Sequence, residues 1–290
     1  MVVRALEGIK ILDAALHYPG PFCSMLLADL GADVLKIEQP KTGDPSRLWP
    51  AFFNGLNRNK RSLTLDLKRP EGREIFYKLA ERYDVMTEGF RPGVVKKLGI
   101  EFETLHKINP RLIYCSISGY GQYGPYRDLP GHDLNYQAIS GMLRCFVDKD
   151  GTPIYPKLMI SDQTSGMFAA FGILATLLAR ERMGQGQYID CSMFDGLLFC
   201  MSPHLHEFFE RGEMITAPDP GYGTFLTADG RYLRIGIAYE DWFWERLCEV
   251  LGLQELKGLK AIERKRRQRE LIQKIQVILH TKKRDEWGKC

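Results

Sequence analysis

The chain has 290 residues, a formal net charge of +4, and 44% hydrophobic against 26% charged residues. One core rarely grows past about 250–300 residues, so this length predicts about two domains. The composition excludes collagen-like, low-complexity and wholly disordered chains. No run of about 18 uncharged apolar residues occurs, so no membrane span is expected. The opening MVVRALEGIK has neither the apolar stretch nor the small-residue cleavage site of a signal peptide, which predicts a cytoplasmic protein.

Short apolar runs alternate with helical patterns through the first 200 residues. Ile9–Asp13, Asp33–Glu38, Ser62–Leu67, Val85–Glu88 and Leu112–Ser118 read as strands, several of them apolar throughout. Continuous apolar character suits strands covered on both faces of a parallel sheet. Pro21–Leu30, Pro70–Arg82 and Pro92–Leu98 read as helices with proline in or near the first turn, where its missing N–H costs nothing. Thr164–Arg182 reads as a longer helix stopped by Gly184 and Gly186, before a strand that begins at Gln187–Cys191. The βαβαβ pattern predicts an α/β fold with a Rossmann-like, doubly wound parallel sheet. Beyond about residue 200, Tyr222–Thr227 and Arg231–Gly236 flank a Gly230 turn as a hairpin, and helices follow near Glu240–Leu251 and Leu259–His280. The expected division is a large domain over 1–210 and a small α+β domain over 211–290.

The positive balance is local. Lys257–Cys290 holds twelve Lys/Arg and four Asp/Glu, leaving 28 basic and 32 acidic residues elsewhere. A solvated basic helix accounts for that run, and nucleic acid is not an expected partner. Seven cysteines are scattered without C-x-x-C spacing, which argues against a zinc site and a disulfide framework, so no metal is expected. Neither G-x-x-x-x-G-K-[ST] nor a G-x-G-x-x-G after the first strand occurs.

Three polar clusters interrupt the apolar pattern. Gly131-His132-Asp133-Leu134-Asn135-Tyr136 follows a glycine-rich loop, and Ile160-Ser161-Asp162-Gln163 puts a carboxylate at the head of an apolar helix. Taken alone, His132 reads as a hydrogen-bonded structural histidine and Asp162 as a helix N-cap. The third cluster is basic: Arg58, Lys60, Arg61, Lys68, Arg69, Arg91, Lys96 and Lys97. Alone it reads as solvated surface or an anion site.

Together with Asn57–Lys68 (NRNKRSLTLDLK), Gly89–Gly93 (GFRPG), Ser118–Gly124 (SGYGQYG), Gly131–Gly141 (GHDLNYQAISG) and Gly184–Asp190 (GQGQYID), these stretches resemble the class III CoA-transferase superfamily. The resemblance runs from about Leu6 to Trp287 and is nearest to the α-methylacyl-CoA racemase branch. It implies the class III CoA-transferase fold, an interlocked homodimer, an acyl-CoA thioester substrate and no prosthetic group, coenzyme A being part of the substrate. In that branch the histidine of the GHD-N-Y motif, here His132, and the aspartate matched by Asp162 act as an acid–base pair, with a small-domain glutamate, Glu240, supporting the histidine. Leu65 and Lys68 match positions near the adenosine, Arg91 and Lys97 positions near the phosphates, and Gly131, Asp133 and Tyr136 further CoA contacts. Gln39 replaces a matched arginine. The resemblance also implies a C-terminal stretch returning to the large domain, with no counterpart in this sequence.

The chemistry suits such a pair. A proton α to a thioester is weakly acidic, so removing it needs a positioned base and a partner for the enolate oxygen. Inversion needs one proton-handling group on each face of the carbon, and backbone N–H groups at the start of the Asp162 helix are expected to hold the oxyanion. Two alternatives stand beside racemisation: CoA transfer with Asp162 as nucleophile through an aspartyl-CoA thioester, and a non-catalytic CoA-binding member.

Overall fold

The strands at the centre of the fold are buried on both faces, their polar residues included. In the computed structural model, which describes residues 4–148, 150–212 and 219–288, β5 (Ile113–Ser118) and β4 (Val85–Glu88) are buried at every position. They sit inside a six-stranded, all-parallel sheet with β1 (Lys10–Asp13), β2 (Asp33–Glu38), β3 (Lys60–Thr64) and β6 (Tyr188–Ser192). The order is β3-β2-β1-β4-β5-β6, the doubly wound arrangement expected from the alternation. Its helices are α1 (Pro19–Asp29), α2 (Pro50–Asn57), α3 (Pro70–Ala80), α4 (Val94–Leu98), α5 (Phe102–Ile108), α6 (Asp133–Ile139), α7 (Ile160–Met183) and α8 (Met193–Cys200). The apolar core on one side joins Leu12, Leu35 and Met86 of the sheet to Phe76 and Leu105 of the covering helices.

Two boundaries differ from the expected ones in ways that bear on function. The third strand ends at Thr64, not Leu67: Leu65 and Leu67 are buried, but in the loop beyond the ladder. Their apolar character reports burial in a cavity wall rather than pairing. Helix α7 starts four residues earlier than Thr164, so Asp162 is inside its first turn.

The chain divides into two compact units, Met1–Ser202 and Pro203–Cys290, so the boundary falls at the first residue of α9 (Ser202–Arg211) rather than after residue 210. The second unit carries the expected hairpin, β7 (Tyr222–Leu226) with β8 (Tyr232–Gly236), then α10 (Asp241–Leu251), α11 (Ala261–Arg266), α12 (Gln268–Leu279) and α13 (Arg284–Trp287). Its core gathers Phe225, Trp244, Leu271, Ile275 and Trp287. The single helix expected over Leu259–His280 is two, interrupted at Arg267. Nor is that basic run wholly solvated: Arg264 is fully buried, its Nε donating to Asp219 Oδ2 and Nη1 to Asp241 Oδ1, both at 2.7 Å. Among the described residues no helix is long and apolar enough to cross a membrane.

Candidate active site

In a doubly wound sheet, ligands lie beyond the carboxyl ends of the strands where the order reverses, here between β1 and β4. The loop leaving β1, Ala14–Tyr18, is fixed there by buried charge. Lys36, 1% exposed, donates from Nζ to the Ala15 carbonyl at 2.8 Å and pairs with Asp44 Oδ2 at 3.0 Å. Asp13, fully buried, accepts the Ala15 N–H at 3.1 Å, the Ser24 hydroxyl at 2.6 Å and Lys60 Nζ at 3.0 Å. Burial alone would raise its pKa, but Lys60 and Lys36 hold its carboxyl down to about 2. Asp44 Oδ1 accepts the His17 N–H at 3.2 Å, and His17 takes the left-handed conformation, φ +63°. Gly20 is obligatory behind this loop, since a Cβ there would lie 2.0 Å from that of Ala15.

The second wall is the meeting of α6 and α7. His132 is the N-cap residue of α6, its N–H donating to Asn135 Oδ1 at 3.0 Å. Next to it Asp133 is buried, its Oδ1 accepting both the N–H (2.8 Å) and hydroxyl (2.7 Å) of Ser161, its Oδ2 accepting Gln137 Nε2 at 2.6 Å. Asp133 thus caps α7 from another helix. Asp162 therefore has no capping duty, which corrects the simplest reading of the sequence: its carboxylate accepts no hydrogen bond among the described residues. Burial pushes its pKa up to about 7, with the negative charge of Asp133 adding to the effect. Tyr136 donates its hydroxyl to the Gly131 carbonyl at 2.8 Å, and its ring lies where a Cβ on Gly131 would come within 2.7 Å.

These walls enclose adjoining cavities. One, of about 390 Å³, is lined by Leu16, Arg91, Gly131 and Tyr136 among others; a second, of about 630 Å³, is walled by Tyr18, Trp49, Phe52, Leu134, Tyr155 and Met159. Three residues are common to both linings: His17, His132 and Asp162. A third cavity, about 380 Å³, is lined by Leu65, Lys68, Gln39 and Lys41, and shares Leu16 and Phe90 with the first. The expected site residues fall accordingly. His132, Asp162, Arg91, Gly131 and Tyr136 share one cavity; Leu65 and Lys68 share another; Asp133 lines the aromatic one with both carboxylate oxygens engaged by protein groups. Lys97 is exposed on α4, which turns Val94 and Leu98 to the third cavity instead. Glu240 belongs to the second unit, at the N-cap of α10. Its Oε2 accepts the N–H groups of Ala238 (2.9 Å) and Tyr239 (3.1 Å), and backbone hydrogen bonds hold its carboxyl below the usual range.

The basic cluster divides in two. Arg58, Lys60, Arg61 and Arg69 pair with Asp29, Asp13, Asp33 and Asp66. Lys68, Arg91, Lys96 and Lys97 have no ion-pair partner among the described residues, leaving two lysines and one arginine, Lys41 included, along the cavity walls. Lys41 and His17 were not legible as site residues. The only signal for either was position, since His17 follows the carboxyl end of β1 at the switch point and Lys41 that of its neighbour β2.

A doubly wound sheet carries, over its carboxyl edge, a histidine, a carboxyl of raised pKa and unpaired cationic groups, an arrangement suited to an extended anionic ligand. The chain belongs to CoA-transferase family III, whose sequence profile matches residues 6–290. It is 37% identical over 268 residues to succinyl-CoA:glutarate CoA-transferase of Mus musculus, covering 88% of this chain and 61% of that protein. It is 40% identical over 259 residues to alpha-methylacyl-CoA racemase of Homo sapiens, covering 86% and 65%. The chain thus spans about three fifths to two thirds of the length of these curated relatives. Among solved structures, a CaiB/BaiF family protein from Brucella suis superposes with a TM-score of 0.84 at 31% identity, covering 98% of this chain and 82% of the other. A Mycobacterium tuberculosis protein superposes at 0.89 and 32% identity, covering 99% and 80%. The fold is that of the class III CoA-transferases.

Proposed function

We propose that this protein is a racemase or epimerase of 2-methylacyl-CoA thioesters, with His132 and Asp162 exchanging the α-proton through an enolate. One observation carries the reading: His132 and Asp162 both line the junction of a cation-bearing cavity and an aromatic one. A carboxyl with a pKa of about 7 is present in both protonation states near neutrality, which is what a group that must both remove and return a proton requires. Coenzyme A would run from the Leu65–Lys68 cavity past Arg91, with Lys41 offering a cation near Gln39. The acyl group would occupy the aromatic cavity, whose lining among the described residues includes no lysine or arginine. A dicarboxylic acyl group would leave its free carboxylate unpaired there, at a cost of several kcal/mol in desolvation. That favours an apolar acyl group over the dicarboxylates in the name of the Mus musculus transferase.

Transfer through Asp162 is the second reading, favoured by a carboxylate that no protein group ties down. Incubating a single epimer of 2-phenylpropanoyl-CoA in deuterated water separates the two. Racemisation with α-deuterium uptake, nearly abolished in His132→Ala, supports the first; CoA exchange that depends on an added carboxylate, without α-deuterium, supports the second and refutes the first. The reaction as proposed uses no prosthetic group. A homodimer is part of the proposal: Met167, Phe171 and Leu178 lie on one face of α7, Phe171 and Leu178 each 71% exposed. Phe171→Glu should then lower the sedimentation coefficient from dimer to monomer; an unchanged value in a dimeric wild type would place the interface elsewhere.

A further inference from the structure

We propose that His17 is the electrophile of the site, donating a ring N–H to the thioester oxygen as it takes up enolate charge. The role rests on the racemase reading and adds a third residue to it. Three residues line both cavities at their junction; two are the acid–base pair, and the third is His17.

The enolate oxygen needs a donor, and the expected one is largely spent. Of the first N–H groups of α7, that of Ile160 goes to the Leu158 carbonyl at 3.0 Å, that of Ser161 to Asp133 Oδ1 at 2.8 Å, and that of Gln163 to the Met159 carbonyl at 3.0 Å. Among the first four N–H groups of α7 only that of Asp162 is left without an acceptor among the described residues, so the helix start offers one donor at most. His17, in contrast, has no side-chain hydrogen bond or ion pair among the described residues.

Its backbone is also held in a manner that free loops are not. A non-glycine residue at φ +63° occupies a sparsely populated region, and such strain persists only where surroundings over-determine it. Here they do. Lys36 Nζ holds the carbonyl of Ala15, Asp13 holds its N–H, and Asp44 holds the N–H of His17, with all three charged groups essentially unexposed. The loop that carries the exposed His17 ring is thus fixed before charge develops, which lowers the reorganisation that oxyanion stabilisation requires.

The step balances without a further reactant. One member of the His132–Asp162 pair takes the α-proton, and the C–H electron pair moves through carbon to the carbonyl oxygen. The His17 N–H strengthens its hydrogen bond to that oxygen and keeps its proton. The other member of the pair delivers a proton to the opposite face, and the electron pair returns.

The left-handed backbone dictates the variants. Glycine and asparagine both tolerate φ near +60°, so His17→Gly removes the donor and His17→Asn replaces it with an amide donor, each without backbone strain. α-Deuterium uptake into 2-phenylpropanoyl-CoA is followed by mass spectrometry in D₂O. His17→Gly should lower kcat by about 10²–10³-fold, the usual effect of losing one oxyanion donor, with KM within about threefold. His17→Asn should recover about tenfold of the loss, which a merely structural role would not predict. Wild-type exchange that survives unchanged in His17→Gly, or a loss confined to KM, overturns the role of His17 alone. No exchange in the wild type overturns the racemase reading and this role with it.

Discussion

If one proton is shared between His132 and Asp162, the pH dependence of racemisation takes a form that transfer cannot mimic. Starting from one epimer, the competent enzyme has Asp162 ionised and His132 protonated; starting from the other, the reverse. Both species hold a single proton on the pair, so their ratio is independent of pH, and both directions must follow the same bell. With Asp162 pushed up to about 7, about half of the molecules carry its proton at pH 7; at the ordinary value of 3.8 the fraction would be about one in 1,600. Asp133→Asn tests the cause. The substitution preserves the acceptor for Ser161, and Gln137 Oε1, buried and without a partner, can turn to accept the new amide. What it removes is a negative charge beside Asp162. The Asp162 pKa should fall by on the order of one unit, cutting its protonated fraction at pH 7 about fivefold and moving its limb of the bell to lower pH in both directions. Initial rates from each pure epimer, measured by chiral chromatography of the released acids between pH 5 and 9, give the profiles. Different profiles from the two epimers, or a single limb that only rises with pH as an aspartate nucleophile demands, would refute the shared-proton account.

Three further outcomes follow from the same geometry. Because the folded-state pKa of Asp162 is raised, its contribution to stability is whole below about pH 4 and is lost as pH rises through about 7; Asp162→Asn should therefore leave acid stability unchanged and gain about 4 kcal/mol at pH 8 in urea denaturation, and a gain independent of pH would contradict the shift. Lys36→Met leaves Asp44 and the Ala15 carbonyl buried without their cation, and should cost about 3–5 kcal/mol of folding stability in the same assay; a neutral result would show that the cluster does not hold the loop. For CoA binding by calorimetry, Arg91→Ala and Lys68→Ala should each weaken Kd by about tenfold, as losing one charge-assisted bond does, and the exposed Lys97→Ala by less than about threefold. An equal loss at Lys97 would place the phosphates outside the cavities described.

Much of the fold could be read from the chain because its evidence is local. A run such as Ile113–Ser118 sets only two small serines among apolar residues with no solvent-facing alternation, as a strand buried on both faces does. The third strand shows the limit of that logic. Leu65 and Leu67 carry the apolar signal of a strand but belong to the loop past its end, where they line or back a cavity; the paired residues Lys60–Thr64 are mostly polar because their side chains meet ion partners at a sheet edge. Arg264 fails in the other direction. Within a run of basic residues nothing marks it for burial, since its partners Asp219 and Asp241 lie 45 and 23 residues away.

The site was half legible for the same reason. His132 and Asp162 stand out through motif, yet the sequence alone assigned Asp162 to capping its own helix, a reading that local physics favours. What displaced it is a carboxylate 28 residues upstream in the chain, Asp133, which takes over Ser161. The same substitution of duties has an electrostatic consequence: the capping charge now stands beside a second buried carboxyl and raises its pKa, where self-capping would have lowered it. Capping and acid–base tuning are therefore one arrangement, not two. The loop after β1 obeys a parallel logic, since Lys36, Asp13 and Asp44 come from three separate segments to hold His17 where both cavities meet. In each case a long-range charge relieves a residue of local structural work, and the residue so relieved faces the cavity with its side chain unpaired.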